Sequence, residues 1–192
     1  MIRDLPPMAA DDVAAFFLAV VDRRNGDIMT HLRLEKLAYY AQAWHLALTG
    51  SRLFPDPVEA WELGPVVPNL YDEYKDFDAL PIPAPEAPPQ PPPRAAAILD
   101  QVWAAYGRYS AAELSRMTHE EEPWQAAWSR RSRMNRNPVI RPEDMLDYFR
   151  RQLDRAKQRR EAEYAVEYRL RPETDEERDL SDYSAALARA LA

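Results

Sequence analysis

The sequence predicts a mainly α protein: a compact single-domain helical bundle with a small two-stranded β element and a charged helical C-terminal extension. Three observations carry this. Apolar residues recur at three- and four-residue spacing through most of residues 1–150. One short stretch, 58–63, alternates with period two instead. From Arg150 onward, apolar spacing gives way to alternating charge.

A chain of 192 residues has room for one domain plus an extension. The domain is assigned to 1–150, with a proline-rich loop at 81–93, and the extension to 151–192. In chain order, Pro6 and Pro7 mark an extended lead-in. Asp11 and Asp12 then open a first helix to about Arg24, where acids favour the positive end of the helix dipole. Val13, Ala14, Phe16, Phe17, Leu18, Val20 and Val21 make it apolar nearly all round, which predicts burial at the centre of the bundle. Gly26 suits a left-handed cap.

Thr30 caps a second helix to about Leu48, with Leu34, Leu37, Ala38, Ala41, Trp44, Ala47 and Leu48 as its core stripe. Arg33, Lys36 and Tyr40 are placed on its polar, solvent-facing side. Thr49 and Gly50 close it. Val58 to Leu63 reads as a strand, with Val58, Ala60 and Glu62 on one face and Glu59, Trp61 and Leu63 on the other. Gly64-Pro65 reads as a turn into a third helix that starts near Pro68 and carries Leu70, Tyr71, Tyr74 and Phe77.

Residues 81–93 hold eight prolines, a density that excludes helix and central strand. A stiff spacer of polyproline character is expected. Arg94–Gly107 is a fourth helix, and Ser110 with Glu113 forms a capping box for a fifth. Pro123 starts a sixth near Trp124 and Trp128, and Arg131–Pro138 is irregular. Val139-Ile140 is expected to pair with Ala60-Trp61, and Pro142 begins a last core helix. Arg150–Arg171 continues as an exposed helix, Glu173–Asp182 is an acidic stretch, and Leu187 and Leu191 form a weak docking face.

The net charge of −7 and pI of 5.1 argue against a general nucleic-acid binder, because neutralising phosphate needs concentrated Lys and Arg. Two basic clusters stand out all the same, Arg130–Arg136 and Arg155–Arg160. The absence of cysteine removes thiol nucleophiles, disulfides and Cys-ligated zinc. No basic segment precedes the apolar run Val13–Val21, and that run is too short to span a bilayer. A cytoplasmic protein is expected, with no membrane partner and no specific nucleic acid.

Three histidines constrain catalysis and metal binding. His31 and His45 lie on one helix, roughly 21 Å apart, and cannot share a metal. His119 is followed by Glu120, Glu121 and Glu122, which makes it the best acid–base candidate for a hydrolase or transferase. The competing reading makes 118–124 a helix connection around Trp124. No zinc-protease helix, phosphate loop or nucleophile elbow accompanies it. No cofactor, metal or catalytic residue is assigned.

Three blocks carry a resemblance. They are His31-Leu-Arg-Leu-Glu-Lys-Leu-Ala-Tyr-Tyr-Ala-Gln-Ala-Trp-His-Leu-Ala-Leu-Thr-Gly followed by Leu53-Phe; Glu59-Ala-Trp-Glu-Leu-Gly-Pro-Val-Val-Pro-Asn-Leu-Tyr; and Leu114-Ser-Arg-Met-Thr-His-Glu-Glu-Glu-Pro-Trp. In this order, with Trp-x-x-Gly-Pro-Val and Thr-His-x-x-x-Pro-Trp, they resemble the Panacea domain of SocA-like antitoxins over roughly residues 10–150. The resemblance implies a mostly helical, non-enzymatic protein that binds and neutralises a protein toxin encoded beside it. In the SocA-type arrangement such a protein also presents the toxin to a Clp-family protease. It brings no catalytic residues to transfer, and it covers neither the proline tract nor the charged tail. The residues expected to meet the partner are Arg33, Lys36, Tyr40, Trp61, Gly64, Pro65, Tyr71, His119 and Trp124.

Overall fold

A computed structural model describes residues 8–170, with side chains described as far as Glu161. The lead-in prolines and the readings for Glu173–Asp182 and Ser184–Ala192 lie outside the described residues. Among the described residues, seven α-helices run in chain order: α1 (Ala10–Val20), α2 (His31–Thr49), α3 (Pro68–Tyr74), α4 (Pro93–Tyr106), α5 (Ala111–His119), α6 (Glu122–Trp128) and α7 (Pro142–Leu170). Between α2 and α3, β1 (Glu59–Trp61) and β2 (Gly64–Val66) pair as an antiparallel hairpin. The mainly α bundle with a two-stranded element is the architecture observed among the described residues.

The helix at the centre is α2. It touches α1, α3, α4, α5, α7 and β2, and every residue from Arg33 to Ala47 is buried. This corrects two expectations. The central position does not fall to α1, whose Asp11, Asp12 and Ala19 face solvent. Nor does α2 have a solvent-facing polar side. Arg33 is 6% exposed, and Lys36 and Tyr40 are fully buried. A helix packed on every flank must bury its polar residues too, and each then needs a partner.

Local chain signals fix the helix ends. The Thr30 hydroxyl accepts from the Arg33 amide, and Ser110 and Glu113 close their capping box. Gly26 and Gly50 take the left-handed conformation that ends a helical turn. α1 stops at Val20, earlier than its apolar run suggests, and a 3-10 turn at Arg23–Asn25 makes the corner. The α7 helix runs without a break through Arg150, so the 150/151 boundary falls inside one helix. Its first half lays Met145, Leu146 and Phe149 against the core, with the Phe149 ring edge-on to Tyr39, Tyr40 and Trp44.

The hairpin corrects a third expectation. Gly64-Pro65 is not the turn. Glu62 and Leu63 form the loop, and Gly64 pairs with Trp61 as the first residue of β2. Two-residue hairpin loops usually place positive φ inside the loop. Here neither loop residue has positive φ, and Gly64 carries it at 104°. The 138–140 segment lies along the outer side of β1, shifted from the expected register. Glu59 bridges Val139, the Ala60 amide donates to the Pro138 carbonyl at 2.9 Å, and the Ile140 amide donates to the Val58 carbonyl at 2.8 Å. The proline tract forms no helix before Pro93, and within it Ile82 is buried and its amide donates to the Met29 carbonyl at 2.8 Å.

Candidate functional site

The three sequence blocks converge on the hairpin. From α2, Lys36 Nζ donates to the Pro65 carbonyl at 2.8 Å. The adjacent Glu35 accepts the Val67 amide at 2.8 Å. Two neighbouring side chains of one helix thus hold both ends of the β2 exit. From α5, Ser115 Oγ donates to the Leu63 carbonyl at 2.8 Å. His119 Nε2 lies 2.9 Å from the Glu62 carbonyl and Nδ1 lies 2.5 Å from the Ser115 carbonyl. From α6, Trp124 Nε1 donates to the Trp61 carbonyl at 3.1 Å.

Gly64 is required where these elements meet. A Cβ there would stand 2.7 Å from Thr118 Oγ1 and 2.8 Å from Lys36 Cε. Only a residue without a side chain lets the hairpin approach α2 and α5 this closely.

A second polar cluster lies on the other side of the 118–124 block. The Glu121 carboxyl group accepts from Tyr39 at 2.7 Å and Tyr40 at 3.0 Å. The residue keeps partial exposure, but its carboxyl group is enclosed. Burial pushes its pKa up to about 7, against the lowering effect of the two tyrosine hydroxyls. The Tyr40 ring stacks on Tyr106 at 3.9 Å, and Trp44 Nε1 donates to the Tyr106 hydroxyl at 3.0 Å. Lys36 shows the opposite shift. Loss of hydration brings its ammonium down to about 7, with Glu35 pulling weakly the other way.

These contacts assign the expected site residues to two groups. Arg33, Lys36 and Tyr40 are internal, and the exposed recognition face expected of them does not exist. Arg33 donates to Asp27 at 2.7 Å and to the Ile28 and Gly107 carbonyls, with its guanidinium 5.5 Å from the centre of the Trp103 ring. Gly64, Pro65 and Trp124 are also buried. Trp61, Tyr71 and His119 stay partly open, with Trp61 and Tyr71 rings 4.6 Å apart and His31 against Tyr71 at 5.0 Å. Leu63, at the hairpin tip, is 61% exposed. The sequence reading did not single it out, because strand alternation says nothing about which loop residue is left uncovered.

The contacts of His119 differ from those expected when a neighbouring carboxylate orients it. Both ring nitrogens lie within hydrogen-bond distance of backbone carbonyls, Nδ1 of Ser115 and Nε2 of Glu62. None of the three following glutamates orients the ring. Glu120 pairs with Arg116 and Glu122 with Arg151, while Glu121 turns to the tyrosines. What orients the ring is the Ser115 carbonyl, not one of the carboxylates that follow His119 in the sequence. His45 is likewise engaged, its Nδ1 2.8 Å from the Ser51 carbonyl. No group of three or more potential metal ligands occurs among the described residues. No helix among them is long and apolar enough to cross a membrane.

The three blocks meet in space at the hairpin. Each block alone contributes a half of several contacts, and all three are needed to seat the hairpin. Comparison with known proteins finds no match among curated proteins or solved structures. A family model, described as Antitoxin SocA-like, Panacea domain, matches residues 34–90 and 92–125. Those residues run from the first turn of α2 to the middle of α6 and include the α2, α5 and α6 side chains that hold the hairpin, though not the 138–140 segment beside β1, so this stretch of the chain is similar to the Panacea domain of SocA-like antitoxins.

Proposed function

We propose that this chain is the antitoxin of a toxin–antitoxin pair and neutralises its protein toxin by direct binding in the cytoplasm. The family match over 34–90 and 92–125 is the observation that carries the proposal. The hairpin supports it as the contact surface. Its base is tied to three helices, while Trp61, with Tyr71 of α3 beside it, and Leu63 at the tip keep exposed area. Large aromatic and aliphatic side chains on a rigid support suit a protein interface, because little freedom is lost when a partner covers them. Gly64, Pro65, His119 and Trp124 serve this surface from behind, and the buried Arg33, Lys36 and Tyr40 act through the core.

Delivery of the bound toxin to a Clp-family protease is the finer form of the proposal. The test is co-expression. The product of the adjacent gene is expected to arrest growth alone, to be harmless together with this chain, and to co-purify with it. A neighbour that is harmless alone sinks the proposal. The adaptor form predicts a shorter toxin half-life when this chain is present, lost in cells without the protease. A stable toxin held in a complex would leave masking as the mode of action.

A further inference from the structure

A cleft of about 540 Å³ lies outside the motif-built core, between the hairpin tip, the end of α6 and the loop to α7. Its lining includes Glu62, Trp128, Arg131, Arg133, Arg136 and Asn137. Three arginines against one glutamate make it locally basic in a chain of net charge −7. The arginines are differently placed from their neighbour Arg130, which is tied down by the Val139 carbonyl at 3.2 Å and by Asp144 at 3.8 Å. No hydrogen bond or ion pair among the described residues engages Arg133 or Arg136. The Arg131 guanidinium lies 4.1 Å from the centre of the Trp128 ring. A guanidinium held by its face keeps the N–H groups in its plane available to an acceptor.

The loop that carries these residues is closed on itself. The Ser132 amide donates to the Asn135 carbonyl at 2.9 Å, and the Asn135 amide donates to Ser132 Oγ at 3.1 Å. This turn displays Met134, which is fully exposed, between Arg133 and Arg136. On the hairpin side, exposed Leu63 adjoins the cleft-lining Glu62. Exposed Met134 and Leu63 thus neighbour cleft-lining residues in the chain without lining the cleft themselves.

We infer that this cleft receives an acidic segment of the protein partner, with carboxylates on Arg131, Arg133 and Arg136 and a neighbouring apolar side chain against Met134 or Leu63. The inference rests on the antitoxin reading and names the chemistry of the toxin segment that reading requires. Planar, forked guanidinium groups match carboxylates in geometry. Nucleic acid fits less well. An acidic chain repels a polyphosphate, three arginines neutralise few phosphates, and exposed Met134 and Leu63 offer a phosphate backbone nothing.

The test compares the full chain with the double variant Arg133→Glu, Arg136→Glu in binding to the adjacent gene product. The expected result is an affinity loss of about tenfold or more and a shallower salt dependence in the variant. Equal affinity and equal salt dependence overturn the inference and leave the antitoxin reading standing. If the adjacent product neither binds nor harms cells, the antitoxin reading fails. The cleft is then judged by two labelled probes at low salt, an oligoglutamate peptide carrying a leucine and an oligothymidylate. Peptide binding lost in the double variant supports an acidic protein segment. Tighter binding of the oligothymidylate, or no peptide binding, overturns it.

Discussion

Gly64 concentrates the residue-scale constraints of this protein. Its φ of 104° lies where side chains are disfavoured, and a Cβ would collide with Thr118 Oγ1 and Lys36 Cε. Gly64→Ala is expected to cost about 2–4 kcal/mol, the sum of backbone strain and overpacking. Urea denaturation measures it. Adding Thr118→Ala removes the nearer obstacle and is expected to recover part of the loss. A Gly64→Ala variant as stable as the parent would show that the hairpin can withdraw from α2. Most of this site's residues were legible as a motif, but their roles were not. Gly-Pro usually marks a turn, yet here the glycine is needed for close approach. Lys36 looked like a surface lysine because nothing local reveals that Pro65, 29 residues away, supplies its acceptor. The run Glu120–Glu122 likewise hid which of its carboxyl groups turns inward.

At the scale of elements, the hairpin depends on α5 and α6 for its position. A two-stranded sheet is marginal alone, and this one is held from outside by Ser115, His119 and Trp124. His119→Ala is expected to lower stability by about 1 kcal/mol, in line with losing a partly exposed hydrogen bond and the ring contact with Trp124. The Leu63 and Gly64 amides should then exchange with solvent faster than in the parent, with exchange in α2 much less affected. Unchanged exchange at the loop would remove His119 from the role of tether. The ends of α2 and the start of α5 were readable because Thr30, Gly50 and Ser110 act on backbone groups within a few residues, whereas Gly26 ends the 3-10 turn and not α1. The pairing of 138–140 with β1 was readable only approximately. Its register depends on where α6 ends and α7 begins, and neither is encoded in the strand itself.

The whole molecule stores two buried ionisable groups whose shifts oppose each other across neutrality. Lys36 is held near 7 against an ordinary 10.5. Between those values the unfolded chain binds more protons, so this group makes stability rise as pH climbs above about 7. Glu121 is raised from 4.5 to about 7. Its contribution is fully present below 4.5 and is lost as pH rises through 7. His45, lowered by burial, opposes that fall below 6.5, and the raised pKa values of Tyr39, Tyr40 and Tyr106 end the alkaline rise above about 10. A stability minimum near neutral pH is expected, with slopes of no more than about 1.4 kcal/mol per pH unit from each group. Urea melts from about pH 5 to pH 10 test this. Lys36→Met should abolish the alkaline rise, and Glu121→Gln should abolish the fall between 4.5 and 7. A rise that survives Lys36→Met would place its origin elsewhere.

The sequence by itself determined the helical class, the order of the helices and the caps of α2 and α5. Those properties follow from side-chain periodicity and from contacts within one helical turn. Tertiary structure alone decided that α2, rather than α1, occupies the centre, and that Arg33, Lys36 and Tyr40 are interior. It also decided that His119 is a tether, and it left Leu63, Met134 and the arginine cleft as surface. Each of these rests on a partner many residues away: Gly107 for Arg33, Pro65 for Lys36, Glu121 for Tyr40 and Glu62 for His119. A polar side chain on a helix has the same local pattern whether water or a distant carbonyl satisfies it, and only packing chooses between the two.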